Sequence, residues 1–225
     1  MAHPKRRDTV VVLDLDDTLY KEADYQISGI QAVCQQVREI YGLEVTEDIL
    51  ELKQHGGGDI FEGICRLAGL PSRTKESLLW IYRLHEPKIA LSHETREAVL
   101  RMQSEFLSVA ILTDGRSISQ RKKLRALELE HIPVYISEEH GSEKPDPLRF
   151  RLIMRDFPAE KYLYVGDNPS KDFIAPNLLG WDTACLVGSD RNIHPQQNLN
   201  LRDGQAPVRW IDSLRDLFEI SNKNS

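Results

Sequence analysis

Short apolar runs alternate with helical patterns along most of the chain, and this alternation is the strongest constraint on its fold. The runs are rich in β-branched residues, as expected of strands buried on both faces of a parallel sheet. They are Val10–Leu13, Ser108–Leu112, Pro133–Ile136, Tyr162–Val165 and Thr183–Val187. Amphipathic patterns between them predict helices at Glu94–Glu105, Ser119–Glu130, Pro147–Phe157 and Lys171–Leu179. This order predicts a doubly wound α/β core with right-handed crossovers.

A series of helical patterns interrupts the alternation between Tyr20 and Pro87. Amphipathic periodicity there predicts helices at Tyr25–Tyr41, Glu47–Gln54, Ile60–Ala68 and Lys75–His85. We therefore expect a helical domain, residues 20–87, inserted into a core domain formed by residues 1–19 and 88–225. The polar segment Gly188–Pro207 predicts a long surface loop, followed by a last strand and helix within Val208–Ile220.

The composition excludes several classes of protein. A chain of 225 residues with 40% hydrophobic and 28% charged residues is not disordered throughout and can form a core with a smaller insert. Its net charge of −6 argues against nucleic-acid binding, which needs clustered Lys and Arg. The cysteines lack the CxxC spacing of a zinc or redox site, so buried free thiols are expected at Cys34, Cys65 and Cys185.

Neither a signal peptide nor a membrane helix is expected from the sequence. The basic amino-terminal residues lead into a short strand pattern instead of the apolar stretch of a signal peptide. No run approaches the ~20 apolar residues that a membrane helix needs. We expect a cytoplasmic protein without a membrane partner.

Three acidic residues follow the first strand pattern within four positions, at Asp14, Asp16 and Asp17. Because Asp14 and Asp16 are two residues apart at the end of a strand, both side chains can face one pocket. Carboxylates this close raise each other's pKa, unless a cation such as Mg²⁺ favours their ionised forms. The cluster therefore indicates a metal or catalytic site, with an acidic turn that caps a helix as the structural alternative.

A second acidic cluster repeats this plan after the fourth strand pattern. An apolar strand and a glycine are followed by spaced acids at Asp167 and Asp172. These two carboxylates would complete a site of oxygen ligands, which Mg²⁺ prefers together with water. An Asn-Pro turn with a helix cap is the structural alternative.

Two further motifs carry groups that suit phosphate. Thr113, Asp114 and Gly115 follow the second strand pattern just before a helix, where a hydroxyl and backbone N–H groups can hold phosphate oxygens. Lys144, in the loop Ser142–Pro147, offers a compact positive charge ahead of another helix. Each motif is weak alone, because a plain turn or a solvated loop lysine also explains it.

All four segments stand at or just beyond a predicted strand end, and in order and spacing they resemble the four signature motifs of the haloacid dehalogenase (HAD) superfamily. The resemblance covers about Val10 to Val187, and the helical insertion is similar to the type 1 cap of that family. It implies a doubly wound, Rossmannoid HAD core with an inserted helical cap, and the activity of a Mg²⁺-dependent phosphohydrolase. The family's dehalogenases lack an acid at the position of Asp16, so Asp16 and Asp167 together favour phosphate chemistry.

The resemblance also implies a catalytic role for the first motif. Asp14 would attack phosphorus and form an aspartyl-phosphate, while Asp16 would protonate the leaving oxygen and later deprotonate water. The phosphoryl group would be bound by the other two motifs, at Thr113, Asp114, Gly115 and Lys144.

For the metal, the resemblance implies a Mg²⁺ ion held by Asp14, Asp167 and the backbone carbonyl of Asp16. Asp172 would either ligate the ion through water or orient Lys144, and the sequence leaves both roles open. Asp114 departs from the family pattern, in which asparagine is frequent at this position, and it adds a negative charge near the phosphate site.

Residues that select the substrate are expected in the helical insertion, because the cap of this family reads the leaving group. The glycine-rich segment His55–Asp59 is either a ligand-contacting lid or a flexible connection. Candidates for contact with a second anionic group are Lys53, Arg66, Arg73 and Arg83, although charges on helices are usually solvated. The expected partner is a small phosphate ester of the nucleotide or sugar phosphate class.

Two other functions remain open. A phosphomutase of the same superfamily would pass the phosphoryl group to a sugar hydroxyl, and product analysis with a hexose phosphate would reveal it. A non-catalytic binding scaffold would keep the fold without turnover, and a broad phosphatase screen with Mg²⁺ would reveal that.

Overall fold

The computed structural model describes residues 7–56, 58–189, 191–193, 196 and 201–219. Its strands are β1 (Arg7–Leu13), β2 (Phe106–Thr113), β3 (Val134–Ile136), β4 (Lys161–Gly166), β5 (Asp182–Leu186) and β6 (Arg209–Ile211). They form one parallel sheet in the order β3-β2-β1-β4-β5-β6. The predicted doubly wound parallel sheet is confirmed. Because β1 lies between β2 and β4, the carboxyl ends of these three strands meet near the middle of one edge of the sheet.

Helices connect the strands and form the segment between β1 and β2. They are α1 (Glu22–Tyr41), α2 (Thr46–Gln54), α3 (Ile60–Leu67), α4 (Lys75–Leu84), α5 (His93–Glu105), α6 (Ser117–Ala126), α7 (Ser137–His140), α8 (Leu148–Asp156), α9 (Ile174–Leu178) and α10 (Asp216–Glu219). None of the helices in the described ranges is long and apolar enough to cross a membrane.

The central strand β1 shows how the core divides between the two faces of the sheet. Side chains alternate along a strand, so Val11 and Leu13 pack in one cluster with α5 residues such as Met102. Val10 and Val12 face the other way and pack in a second cluster with Phe150 of α8. All four β1 residues have no solvent exposure, which explains the continuous apolar run in the sequence.

Helices α1–α4 form a hydrophobic cluster of their own. Buried residues of all four helices meet in it, including Val33, Ile49, Ile64 and Leu78. Tyr82 of α4 packs against both this cluster and one of the clusters on the sheet, so it joins the insertion to the core. The predicted helices are confirmed. The division of the chain into domains at residues 20 and 87 stays a prediction.

Some element ends differ from the prediction. The helix predicted from Lys171 begins only at Ile174, and turns occupy residues 169–173. The Asp172 side chain closes these turns by accepting from the Asn168 N–H at 2.9 Å. Helix α6 ends at Ala126 instead of continuing to Glu130, since Glu128 has a left-handed φ of 61°.

At the carboxyl end, the predicted last strand and helix correspond to β6 and α10, and Ile220 lies outside the described residues. Within the predicted loop Gly188–Pro207, residues 190, 194, 195 and 197–200 also lie outside them, and the described remainder forms neither helix nor strand. Of the glycine-rich segment in the insertion, Gly57 is not described. The three cysteines are free and buried, as predicted.

Candidate active site

A cavity of about 170 Å³ opens where β1, β2 and β4 end. Its lining consists of Asp14, Asp16, Asp17, Glu22, Thr113, Asp114, Lys144, Asp167, Asn168 and Lys171. Six of the predicted site residues therefore line one cavity, and Gly115 and Asp172 are not part of this lining. A larger, open cavity of about 770 Å³ between α1 and α4 is lined by none of the predicted residues.

Asp14 is fixed in place by hydrogen bonds to its backbone and its side chain. Its N–H donates to the Val165 carbonyl at 2.8 Å, which extends the pairing of β1 with β4 by one residue. Its Oδ1 accepts from the Leu15 N–H at 2.8 Å, and its Oδ2 accepts from Lys144 Nζ at 2.6 Å. Burial raises the pKa of Asp14 to about 6, since the charge of Lys144 offsets only part of the desolvation. At neutral pH this carboxylate is therefore mostly ionised and held in one orientation.

Lys144 joins two acidic motifs that are far apart in the sequence. Its Nζ lies 2.6 Å from Asp14 Oδ2 and 2.8 Å from Asp172 Oδ1, and it also donates to the Tyr164 hydroxyl at 3.0 Å. Burial by itself lowers the pKa of Lys144, but Asp14 and Asp172 outweigh this and raise the pKa well above its ordinary value. The lysine is consequently a fixed positive charge, unlike the solvated loop lysine that the sequence left open.

Both carboxylate oxygens of Asp172 already have partners. Oδ1 forms the ion pair with Lys144, and Oδ2 accepts from the Asn168 N–H at 2.9 Å. Asp172 has no solvent exposure. Its carboxylate also lies so close to Gly166 that a Cβ at that position would overlap it. These contacts orient Lys144, and they depend on a glycine at the end of β4.

Asp167 is the least compensated acid of the site. Carboxylate oxygens of Asp14, Asp167 and Asp172 all lie within 4.8 Å of one another. The side-chain donor found at the Asp167 carboxylate in the described part of the chain is Asn192 Nδ2, which is 3.4 Å from Oδ2. Burial, with the like charges of Asp14 and Asp172, raises the pKa of Asp167 to about 8. A bound cation would remove this repulsion.

Asp16 has a different environment, made of donors that the sequence analysis did not identify. Its Oδ1 accepts from Lys123 Nζ at 2.7 Å and from the Tyr20 hydroxyl, and its Oδ2 accepts from Gln120 Nε2 at 2.9 Å. Burial favours a raised pKa for Asp16, but Lys123 and these hydrogen bonds outweigh it and leave the pKa below its ordinary value. Asp14 and Asp16 thus have opposite pKa shifts although they are two residues apart.

The sequence carried a signal for Gln120 and Lys123. Both residues recur at helical spacing with Leu124 and Leu127, which are buried. Buried polar residues on the apolar face of a helix need hydrogen-bond partners. Helix α6 directly follows the end of β2, where the candidate site lies, so partners in the site could be expected. The identity of those partners follows only from the packing of α6.

Asp114 is surrounded by positive charge. Its Oδ1 accepts from the Lys144 N–H at 3.2 Å and from the buried guanidinium of Arg149, and Lys171 Nζ lies 3.1 Å from its Oδ2. Burial favours a raised pKa for Asp114, but Lys144, Lys171 and Arg149 together lower it. The negative charge that Asp114 adds near the predicted phosphate site is therefore compensated within the protein.

Gly115, predicted to help bind phosphate, uses its N–H within the protein. This N–H donates to Ser137 Oγ at 2.9 Å. Gly115 also has a φ of 141°, and a Cβ there would come within 3.1–3.3 Å of the side chain of Gln120. The glycine thus gives Gln120 room beside the site.

The helical insertion contributes Glu22 to the cavity lining. Burial, and then the charge of Asp16, raise the pKa of Glu22 to about 7. The four candidate cations of the insertion are not part of the lining. Lys53 donates to Gln26 at 2.5 Å, and Arg83 lies 5.4 Å from the centre of the Trp80 ring.

The lining of the cavity combines six carboxylates with the two ammonium groups of Lys144 and Lys171. Such a site repels a phosphate dianion unless part of the negative charge is neutralised. The donors of the three-carboxylate group are all oxygens, which suit a hard cation such as Mg²⁺. The residues present therefore fit a divalent ion beside a fixed lysine.

A family model described as haloacid dehalogenase-like hydrolase matches residues 11–186. Among curated proteins, the chain is similar to a glyceraldehyde 3-phosphate phosphatase of Pyrococcus furiosus, with 28% identity over 79% of this chain and 80% of the relative. It is also similar to a phosphoserine phosphatase of Thermus thermophilus, with 32% identity over 70% of this chain and 61% of the relative.

Solved structures show the same fold. The magnesium-bound putative HAD hydrolase YfnB of Bacillus subtilis superposes on this chain with a TM-score of 0.65 and 19% identity. The superposition covers 97% of this chain and 100% of YfnB. The 2-haloacid dehalogenase of Pseudomonas syringae gives a TM-score of 0.62 at 20% identity, with coverage of 96% and 99%. The family predicted from the four motifs is confirmed, and this chain belongs to the haloacid dehalogenase-like hydrolases.

Proposed function

We propose that the protein is a Mg²⁺-dependent phosphatase that hydrolyses a small phosphomonoester through an aspartyl-phosphate on Asp14. The observation that carries this proposal is the ion-paired arrangement of Asp14, Lys144 and Asp172 beside Asp167, the least compensated carboxylate of the site. Phosphatase activity is supported by the names of several curated relatives, which act on glyceraldehyde 3-phosphate, phosphoserine or ribulose 1,5-bisphosphate.

Asp14, Asp167 and the backbone carbonyl of Asp16 would hold the Mg²⁺ ion. Asp172 would orient Lys144, since its Oδ1 is ion-paired with that lysine and its Oδ2 accepts from the Asn168 N–H. When bound, the ion supplies positive charge that neutralises the carboxylates and the phosphoryl oxygens. Its fit is supported by the raised pKa of Asp167, whose cause is burial among like charges.

In the first step, one carboxylate oxygen of Asp14 forms a bond to phosphorus while the bond from phosphorus to the ester oxygen breaks. The lowered pKa of Asp16 keeps it ionised in the free protein, so it takes up a proton as the negatively charged phosphate enters the site. Asp16 then gives this proton to the departing oxygen, so that the alcohol leaves neutral. The result is the aspartyl-phosphate and an ionised Asp16. Lys123 and Tyr20 lie against Oδ1 of Asp16 and stabilise that ionised form.

In the second step, Asp16 takes a proton from a water molecule whose oxygen attacks phosphorus. The bond between phosphorus and Asp14 breaks, which releases inorganic phosphate and restores the carboxylate. The division of one displacement into two is the usual benefit of a covalent nucleophile. Asp16 regains its proton in this step and loses it again when phosphate departs, because its pKa in the free protein is lowered.

Thr113 and Lys144 would hold the phosphoryl oxygens during both steps. Both residues line the cavity, and Lys144 is fixed by its ion pairs. Asp114 and Gly115 would contribute through the backbone of the same turn, although the Gly115 N–H has an internal partner. Fixed donors that face the developing charge lower the barrier without reorganisation.

The lining supports a leaving group that has hydroxyl groups and lacks a second anionic group. The insertion presents Glu22 to the cavity, and the lysine and arginine side chains of the described insertion do not line it. A carboxylate accepts hydrogen bonds from hydroxyl groups and repels phosphate. Within the expected nucleotide and sugar phosphate class, a small sugar monophosphate therefore fits best.

The test is phosphate release from glyceraldehyde 3-phosphate, sugar monophosphates, nucleoside monophosphates, phosphoserine and a sugar bisphosphate, each with Mg²⁺ or EDTA. We expect metal-dependent release that is highest on a small sugar monophosphate and is lost in Asp14→Asn. Release that continues in EDTA, or in Asp14→Asn, would refute the mechanism. Transfer of phosphate to a second sugar hydroxyl, instead of release, would identify a phosphomutase.

A further inference from the structure

Gln120 places one buried amide nitrogen against both the proposed acid and the proposed phosphate ligand. Its Nε2 lies 2.9 Å from Asp16 Oδ2, 2.7 Å from Thr113 Oγ1 and 2.8 Å from the Asp114 carbonyl. Gln120 is 1% exposed. A single side chain thus connects the residues that would act on the leaving oxygen and on the phosphoryl oxygens.

We propose that Gln120 is a positioning residue that aligns Asp16 for proton transfer to the leaving group and directs the Thr113 hydroxyl toward the phosphoryl group. This inference rests on the proposed phosphatase function and extends it to a residue outside the four motifs. Gln120 does not line the cavity, so it acts through Asp16 and Thr113.

The orientation of the Gln120 amide follows from its partners. A carboxylate and a carbonyl only accept hydrogen bonds, so the atom that faces Asp16 and the Asp114 carbonyl has to be the nitrogen. The backbone of Gln120 is held as well, because its N–H donates to the Arg116 carbonyl at 2.9 Å. The absence of a Cβ at Gly115 provides the space for this side chain.

The contact with Asp16 distinguishes the two oxygens of its carboxylate. Oδ1 faces both Lys123 and Tyr20, whereas the side-chain donor found at Oδ2 in the described structure is Gln120. A carboxylate oxygen has two lone pairs. Oδ2 therefore keeps a lone pair for the proton that moves to the leaving group, and Gln120 fixes its direction.

The contact with Thr113 has a corresponding consequence. The Gln120 amide nitrogen has two hydrogens for three acceptors, so one hydrogen points to Asp16 Oδ2 and the other is shared between Thr113 Oγ1 and the Asp114 carbonyl. A hydroxyl has one hydrogen and two lone pairs, and this shared contact occupies one lone pair of Thr113 Oγ1. The hydrogen of this hydroxyl remains available for the cavity that Thr113 lines. A phosphoryl oxygen is the acceptor that it would meet there.

The test compares kcat/KM for two substrates in Gln120→Met and Gln120→Leu. Both replacements remove the amide donor without adding a charge beside Asp16, so the second serves if the first fails to fold. One substrate is an alkyl phosphate, whose leaving group needs a proton, and the other is p-nitrophenyl phosphate, whose leaving group does not. Because kcat/KM reports the steps up to transfer of the phosphoryl group to Asp14, it isolates the step in which Asp16 acts as an acid.

We expect kcat/KM on the alkyl phosphate to fall about 100-fold, the lower range for general acid catalysis, with a much smaller fall on p-nitrophenyl phosphate. Arg125→Gln, an exposed change on the same helix, should leave both values unchanged. Equal losses on the two substrates, or no loss, would overturn the inference. Absence of metal-dependent turnover in the unaltered protein would instead refute the proposed function.

Discussion

The ammonium group of Lys144 lies 2.6 Å from the carboxylate of Asp14, although 130 residues separate them in the chain. The parallel sheet makes this contact possible, because Asp14 follows β1, a strand in the middle of the sheet. Asp172 lies on the same ammonium at 2.8 Å and holds it between two acids. The proposed nucleophile therefore has a fixed positive charge beside it before any substrate binds.

Replacement of this lysine should affect both catalysis and stability. In Lys144→Met we expect kcat to fall about 100-fold or more, which corresponds to the loss of about 3 kcal/mol of transition-state stabilisation. The two buried aspartates also lose their partner, and this destabilises the fold by about 3–5 kcal/mol. Mg²⁺ should recover part of the lost melting temperature, because it would neutralise the same carboxylates. The control is Lys161→Met, at an exposed position of β4. An unchanged kcat in Lys144→Met would contradict the proposed role of Lys144 in catalysis.

Asp167 and Asp172 should respond differently to the loss of their charge. Asp167→Asn removes the least compensated acid of the group, so we expect a higher Mg²⁺ concentration for half-maximal activity. Asp172→Asn leaves Lys144 with one ionised partner, so we expect a lower kcat with a smaller change in the Mg²⁺ requirement. Activity titrations with Mg²⁺ measure both quantities. The same response in both variants would show that the two aspartates share one role.

Gly166 should not tolerate a side chain. A Cβ at this position overlaps the Asp172 carboxylate, so Gly166→Ala should displace Asp172 from Lys144 and lower kcat. Ala184→Gly serves as a control on the neighbouring strand β5, because it removes a buried methyl group without touching the site. Full activity of a folded Gly166→Ala protein would contradict the proposed need for this contact.

His85 should make the stability of the fold depend on pH. Its Nδ1 lies 2.6 Å from the Tyr82 carbonyl and its Nε2 lies 3.1 Å from Ser28 Oγ, whose oxygen accepts from the Lys88 N–H at 2.8 Å. A neutral ring that donates from Nδ1 and accepts at Nε2 satisfies all three groups. Burial lowers the pKa of His85 below its ordinary 6.5.

As the pH falls below about 6.5, the unfolded chain therefore binds a proton that the folded chain does not, and stability decreases. Thermal unfolding at about pH 7 and about pH 5.5 should show a smaller drop in melting temperature for His85→Gln than for the unaltered protein. His93→Gln, whose side chain is 85% exposed, should keep the full drop. An equal drop in His85→Gln would contradict this assignment.

Much of the fold could be predicted because its signals are local. The apolar run at Val10–Leu13 requires a strand covered on both faces, and the periodicity of the insertion requires helices. The late start of α9 at Ile174 was not predictable, because it depends on a turn in which Asp172 and Asn168 form hydrogen bonds with each other. Sequence periodicity does not register such a competition between side-chain and helical hydrogen bonds.

The four motifs indicated the acids and the lysine of the candidate site, and the structure brings these residues together. The partners of Asp16 lay outside the motifs, because Lys123 and Gln120 reach it only through the packing of α6. Compensation of Asp114 by Arg149 was likewise hidden, since a buried arginine on α8 resembles a surface charge in the sequence. The partners of Asp16 and Asp114 could not be predicted, because they depend on contacts between distant elements and not on residue types.

The most direct test of the central claim is detection of the covalent intermediate. The protein, mixed with Mg²⁺ and substrate and quenched within one turnover, would be treated with borohydride, which reduces an acyl phosphate to an alcohol. Peptide mass spectrometry would then locate the modified residue. The proposed mechanism predicts modification at position 14, lost when Mg²⁺ is withheld. Turnover without modification at Asp14, or modification of another residue, would contradict it.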